Sequence, residues 1–239
     1  MNLQRYIYPY GYIGESRGYV VDGEVLPGVT SILQKTKSSE DKKALDAWKS
    51  RTSKSVQQSY MDRGTALHSE LEYYLEYGEF RDVDKMEWLP SKKGLVSPMA
   101  YLKGAIPFLD YQKPKPLLIE GCVYHPFGYA GRVDAVVQLN NENEASNSWN
   151  GESVLLDWKS SDSFKSSVGL RDYEIQLSAY LGALNHVYPK LKINKAMLVI
   201  CVKNELAQIR RVEPTNVMKN WDLWKGRLQT FKEMMKGQG

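Results

Sequence analysis

Three stretches decide how this 239-residue chain folds: GYAGRVDAVVQL at 128–139, SVLLDWKSSD at 153–162 and YEIQLSAYLGALN at 173–185. The first two are Val- and Leu-rich runs of strand length, and each carries one carboxylate where the pattern otherwise demands burial. Asp134 sits inside the first run and Asp157 closes the apolar part of the second. Strand side chains alternate, so Asp157 and Lys159 face one way and Trp158 the other. The third stretch has helical spacing and sets Gln176 and Tyr180 one turn apart on a common side. An unpaired buried carboxylate costs roughly several kcal/mol, so both aspartates require a cation beside them.

That pattern specifies a chemistry. Two carboxylates on neighbouring strands, helped by a backbone carbonyl, can share one divalent cation and leave positions open for water and a phosphate oxygen. Lys159 stands where it can orient the attacking water and offset charge developing on a phosphate, the parts needed for metal-assisted phosphodiester cleavage. The bland reading of each aspartate is a turn former or helix cap near a strand end.

Working outward, PLLIEGCVYHP (116–126) reads as a strand before the Asp134 strand, NKAMLVICVKN (194–204) as a strand after the helix, and AQIRRVEP (207–214) as its hairpin partner. NNENEASNSWNGE (140–152) reads as a polar hairpin loop in solvent. Pro214 to Lys236 is an amphipathic helix with Val217, Trp221, Trp224, Leu228 and Phe231 on its face. On the N-terminal side, residues 1–27 read as short strands with Gly turns. LPGVTSILQKT (26–36) reads as a helix capped by Thr30 or Ser31. Residues 39–60 form a basic helical segment, either a solvated helix with one apolar stripe or a cationic helix near a phosphate backbone. A stronger helix runs from Met61 to Tyr77 and stops at Gly78, with His68 beside its stripe. Residues 79–98 read as a loop with room for a helical turn, and SPMAYLKGAIPFLDYQ (97–112) as a helix interrupted by Pro107. The expected organisation is one α/β domain over 1–239: an N-terminal hairpin and helical extension to residue 60, a core over 61–213, and the closing helix over 214–239.

Composition sets limits without naming a function. Hydrophobic residues make up 42% and charged residues 25%, too apolar for disorder. No apolar run reaches the roughly 18 residues a membrane span needs. The start, MNLQRYIYPYGY, lacks the apolar core of a secretory signal and the pattern of a mitochondrial presequence, so a cytoplasmic setting is expected. Two cysteines, Cys122 and Cys201, cannot supply a four-cysteine cluster and read as buried apolar residues. A net charge of +4 is compatible with a polyanionic partner but weak evidence for one. The 16 tyrosines and 6 tryptophans interleaved with Lys and Arg suit stacking on unpaired bases, or simple packing.

The series RGTALH (63–68), GYAGRVD (128–134), LLDWKSS (155–161) and IQLSAY (175–180) resembles the RecB-type branch of the PD-(D/E)XK nuclease superfamily. Within that branch it is most similar to the mitochondrial genome maintenance exonuclease family and its bacterial and phage relatives, from about Leu26 to Lys232. The resemblance implies a PD-(D/E)XK core, a central mixed β-sheet flanked by helices, with a helical N-terminal extension. It implies catalytic roles for Asp134, Asp157, Lys159 and Gln176. Metal ligation is implied for His68, Asp134, Asp157 and the Trp158 carbonyl, with Glu120 as a further ligand or a strand-edge salt bridge. For His68 the bland alternative is a packed core histidine. Ser160 and Tyr180 are candidate nucleic-acid contacts, or a turn cap and a core ring respectively. His125 and His186 read as surface or loop-end residues. The implied activity is that of a Mg²⁺-dependent exonuclease, with Mn²⁺ able to substitute, preferring single-stranded DNA and acting in replication, recombination or repair. The expected setting is a monomer in a bacterial or phage-infected cell, with no iron–sulfur cluster. The alternatives are a flap- or junction-cutting endonuclease using the same site, and a binding module whose nuclease site is vestigial.

Overall fold

The computed structural model describes residues 3–82, 89–91, 94–140 and 149–237. The chain opens with a three-stranded antiparallel sheet, β1 (Tyr10–Ile13), β2 (Ser16–Val21) and β3 (Glu24–Pro27), followed by α1 (Val29–Lys35), α2 (Ser39–Arg51) and α3 (Lys54–Tyr77). A small hairpin, β4 (Leu89–Ser91) with β5 (Gly94–Val96), stands where the sequence reads as loop. Residues 83–88 and 92–93 of that loop lie outside the described residues. Then come α4 (Met99–Leu102), α5 (Ile106–Gln112), β6 (Lys115–His125), β7 (Tyr129–Gln138), β8 (Ser153–Ser161), α6 (Ser167–Val187), β9 (Ala196–Val202), β10 (Gln208–Val212) and α7 (Pro214–Lys236).

The main sheet has the order β10-β9-β8-β7-β6, antiparallel except for the parallel pair β8–β9, whose crossover is α6. It is the expected mixed sheet flanked by helices. Alternation sends successive strand residues into two cores. Leu155 and Leu198 join Ile32, Leu177 and Trp224 beneath α1, α6 and α7. Leu156 and Val199 join Leu67, Leu71, Leu102 and Leu109 beneath α3, α4 and α5. The free edge of β6 is covered by the N-terminal segment, through Leu3 N–H to Leu117 O and Cys122 N–H to Tyr6 O, both 2.8 Å, which removes an exposed pairing edge.

Several local expectations are corrected. Residues 39–77 form two helices, because Thr52 is extended and the Ser53 hydroxyl accepts the Val56 N–H to start α3. Thus α3 begins at Lys54, before Met61, and runs through the 60/61 division. Its end is as read: Gly78 takes the left-handed conformation, φ 78°. α1 is capped by neither Thr30 nor Ser31; Gly28 precedes it, and the Ser31 hydroxyl donates instead to Arg17 O. Pro107 does not interrupt a helix. It lies in the first turn of α5, where its missing N–H costs nothing, and so helps to start one. α6 begins at Ser167, ahead of Tyr173, with Ser166 as its cap. Residues 141–148 of the polar insert lie outside the described residues. Trp149 at its end is not in solvent, being 2% exposed, packed in the α3–α5 core and donating to Glu213 at 2.9 Å.

Candidate active site

The ladder between β7 and β8 ends at Ala135 and Leu156. One residue further, where the strands part, stand Asp134 and Asp157. Parting leaves the Trp158 N–H without a strand partner, and Asp134 Oδ2 accepts it at 2.8 Å. Asp157 is 2% exposed; its Oδ1 accepts from Gln176 Nε2 at 3.0 Å and its Oδ2 accepts from Lys159 Nζ. α6 therefore contributes to the site by presenting Gln176 from behind the sheet.

His68 comes in from α3. Its Nε2 lies 2.9 Å from Trp158 O, and its Nδ1 lies 3.5 Å from Asp134 Oδ1. Glu120 comes in from β6 on an unusual backbone, φ 50°, just past a register irregularity between Pro116 and Leu118. A non-glycine residue held there is strained by roughly 1–3 kcal/mol, a cost that surrounding structure must impose. Its carboxylate meets Arg132 Nε at 2.7 Å. His68, Glu120 and Asp134 each place one ligand atom within 4.8 Å of the others.

These groups perturb one another. Burial opposes a charged His68, but Asp134 outweighs it and raises its pKa. Burial likewise opposes ionisation of Asp134, and His68 together with Lys159 and the Trp158 N–H holds it low. Glu120 is pushed up to about 7 by burial and by Asp134, against Arg132. Asp157 is pushed up to about 6 by burial, with Lys159 opposing and Asp134 adding. Burial disfavours the Lys159 ammonium, yet Asp157 and Asp134 keep it charged. Three carboxylates crowded together are thus short of positive charge. The donor set, an imidazole nitrogen and carboxylate oxygens with the Trp158 carbonyl beside them, fits a divalent cation: the oxygens suit Mg²⁺ and Mn²⁺, while an imidazole is a ligand more usual for later transition ions.

The site opens into a cavity of about 420 Å³ lined in part by His68, Glu120, Asp134, Lys159, Gln176 and Tyr180. Tyr180 lies against Gly131, where a Cβ would come within 2.5 Å of its ring, so this glycine is what lets the ring reach the cavity. Ser160 is elsewhere: it accepts from Arg63 Nε at 3.1 Å, in a network with Asp162 and Tyr101, and is not part of the cavity wall. Asp157 lies outside the three-residue ligand group, its oxygens meeting Gln176 and Lys159. The rings of His125 and His186 are 5.9 Å apart, outside the cavity lining, in a ring cluster with Tyr129 and Trp221.

Sequence reasoning missed a further part of the lining, Tyr10, Arg17 and Tyr19 of the N-terminal sheet together with Arg132. Arg17 stacks on the Tyr10 ring at 3.5 Å. The alternation of tyrosine and arginine there is visible in the sequence. Its position is not, because it depends on a lone bridge between Gly28 and Ala130 that lays the small sheet over β7.

No family model matches the chain. It is 25% identical over 227 residues to mitochondrial genome maintenance exonuclease 1 of Xenopus tropicalis, covering 91% of this chain and 60% of that protein. It is 22% identical over 225 residues to the protein of that name from Homo sapiens, covering 90% and 60%. The chain thus spans about 60% of the length of the curated relatives it matches. A solved structure of a candidate exonuclease from Eubacterium rectale overlaps 74% of this chain and 69% of its own at 12% identity, with a TM-score of 0.42, too loose a likeness to carry an argument. Among the described residues no helix is long and apolar enough to cross a membrane. With its five-stranded mixed sheet, its motif series and a likeness running through nine tenths of its length, the chain fits the PD-(D/E)XK type and is similar to the mitochondrial genome maintenance exonucleases.

Proposed function

We propose that this chain is a Mg²⁺-dependent deoxyribonuclease, with Mn²⁺ able to substitute, that hydrolyses phosphodiester bonds from the ends of single-stranded DNA in replication, recombination or repair. The observation that carries the reading is the convergence of His68, Glu120, Asp134 and Lys159 on one cavity, with Asp157 paired to Lys159. His68, Glu120, Asp134 and the Trp158 carbonyl would hold the ion, with Asp157 as a further ligand. Once bound, a divalent ion supplies charge neutralisation at the phosphate and acidification of water.

The chain's own groups have distinct roles in this reading. Lys159, kept as an ammonium by its carboxylate neighbours, stabilises charge accumulating on the phosphate, and a positioned donor of this kind is worth roughly 10²–10³ in rate. Gln176 fixes the rotamer of Asp157 through its buried amide. Arg132 restrains Glu120 on its strained backbone. Tyr180 forms part of the floor on which a sugar or base rests.

Linear and covalently closed circular single strands, each incubated with Mg²⁺ or Mn²⁺, test the reading. The linear strand should be degraded and the circle should survive. Cleavage of the circle would make the protein an endonuclease, and survival of both strands would remove the nuclease assignment.

A further inference from the structure

α3 is pressed onto the sheet by Leu67 and Leu71, both buried in the core it shares with α4 and α5. Apolar burial is non-directional, so these contacts hold the helix down without fixing how far along its axis it sits. That distance matters to the site. His68 is carried by α3, while its two neighbours, Asp134 and the Trp158 carbonyl, belong to β7 and β8. A slip of one residue moves His68 by about 1.5 Å along the axis, whereas ligand distances at a metal hold to about 0.2 Å.

A directional contact lies five residues earlier on the same helix. Arg63 Nε donates to Ser160 Oγ at 3.1 Å, and its Nη1 donates to Tyr101 Oη and to Asp162 Oδ1, both at 2.8 Å. Its guanidinium carbon lies 4.7 Å from the ring centroids of Tyr60 and of Tyr101. Tyr101 in turn donates to Asp162 at 2.7 Å. Burial opposes charge on Asp162, but the Tyr101 hydroxyl and Arg63 hold its pKa down, so the pair stays ionic. The Arg63 side chain is only 12% exposed, and a planar guanidinium engaged on three partners is held in one orientation. It ties α3 to α4 and to the end of β8.

His68 meets β8 at Trp158 and Arg63 meets it at Ser160. Five helical residues rise about 7.5 Å and two strand residues about 6.6 Å. The two contacts are therefore rungs of matching spacing between one helix and one strand. Arg63 itself is not part of the cavity lining.

We infer that Arg63 is a positioning residue of the metal site: its clamp on Ser160 and Asp162 sets the axial register of α3 and so places the His68 imidazole against Asp134 and the Trp158 carbonyl. The inference rests on the reading of this site as a divalent-metal hydrolytic centre. Lysine cannot fill the role, since an ammonium lacks the planar fork that engages Ser160, Tyr101 and Asp162 together.

Mn²⁺ binding to the intact protein, followed by loss of the free ion's paramagnetic resonance signal, tests this without turnover. Arg63→Gln and Arg63→Lys should each weaken binding by about tenfold, the lower end of the range for groups that orient metal ligands. In a His68→Asn background the same substitutions should change affinity by less than about twofold, the error of such a cycle, because the ligand they place is gone. Equal losses in both backgrounds, or no loss in the first, would overturn the role. If His68→Asn leaves no measurable binding, the rise in Tm on adding Mn²⁺ decides: Arg63→Gln should shrink it, and a rise equal to the parent's would overturn the role. A merely structural arginine would lower Tm alike in chelator and in Mn²⁺. If Arg63→Gln does not fold, Arg63→Lys, which keeps the charge, carries the measurement. An unmodified protein that takes up no Mn²⁺ would instead remove the metal reading, and the role with it.

Discussion

Replacing Glu120 with glutamine isolates the cost of assembling the site. Burial, with Asp134 adding to it, lifts the Glu120 carboxyl from an ordinary 4.5 to about 7, even with Arg132 attached. A group whose folded pKa exceeds its unfolded value contributes its full stability below the unfolded pKa and loses it as pH climbs through the folded one. The window here is pH 4.5 to about 7. At 1.36 kcal/mol for each pH unit, that interval is worth about 3 kcal/mol against the metal-free fold at pH 8. The side chain is 9% exposed, so solvent does little to screen the effect. Glutamine keeps the shape and cannot ionise. In a chain of this size about 3 kcal/mol corresponds to roughly 6–12 °C in Tm. Glu120→Gln should therefore melt about that much higher than the unmodified protein at pH 8 in chelator, and the gap should close near pH 4.5. Adding Mn²⁺ or Mg²⁺ should raise the Tm of the unmodified protein and raise that of the variant less, a trade of function against stability. Scanning calorimetry at pH 4.5 and 8, with and without metal, reads all four quantities. A variant no more stable than the parent at pH 8, or one stabilised as much by metal, would refute the reasoning.

Other perturbations reach different parts of the structure. Gly131→Ala places a Cβ against the Tyr180 ring and should cost roughly 1–3 kcal/mol by overpacking, read from urea unfolding; an unchanged midpoint would show that the ring yields freely. Trp149→Ala should cost roughly 3–5 kcal/mol, because the ring is core and not part of a solvated loop, and a loss under about 1 kcal/mol would contradict that placement. His125 is held down at about 4 by burial and then by His186, so the fold keeps its full stability above pH 6.5 and loses it as pH falls through 4. His125→Asn retains an acceptor for the Phe127 N–H and cannot be protonated, so its acid unfolding should lack that limb; identical acid titrations would argue against it.

Much of this site is legible in the sequence because strands alternate. Asp134, Asp157 and Lys159 sit in runs whose other members are buried, and alternation alone says which of them share a face. Gln176 follows from helical spacing once the crossover after β8 is recognised. Glu120 is harder, since its carboxylate reaches Asp134 through a left-handed residue and a register irregularity that no local pattern announces. Ser160 misleads for the converse reason. It neighbours Lys159 in sequence, but the pleat turns it toward Arg63. The break between α2 and α3 carries a visible signal, Ser53 as a cap, that the polar composition of 39–60 obscures. The wall of Tyr10, Arg17 and Tyr19 depends on contacts more than a hundred residues apart, which composition and periodicity do not encode.

The central claim, that Asp134, Asp157 and Lys159 with His68 and Glu120 form a hydrolytic metal site, is tested most directly by one measurement. End-labelled linear single-stranded DNA is incubated in Mg²⁺ with the unmodified protein and with Lys159→Met, each verified as folded by circular dichroism. The account predicts degradation by the unmodified protein and a loss of roughly 10²–10³ or more in the variant. Degradation by Lys159→Met at the parent's rate would contradict it.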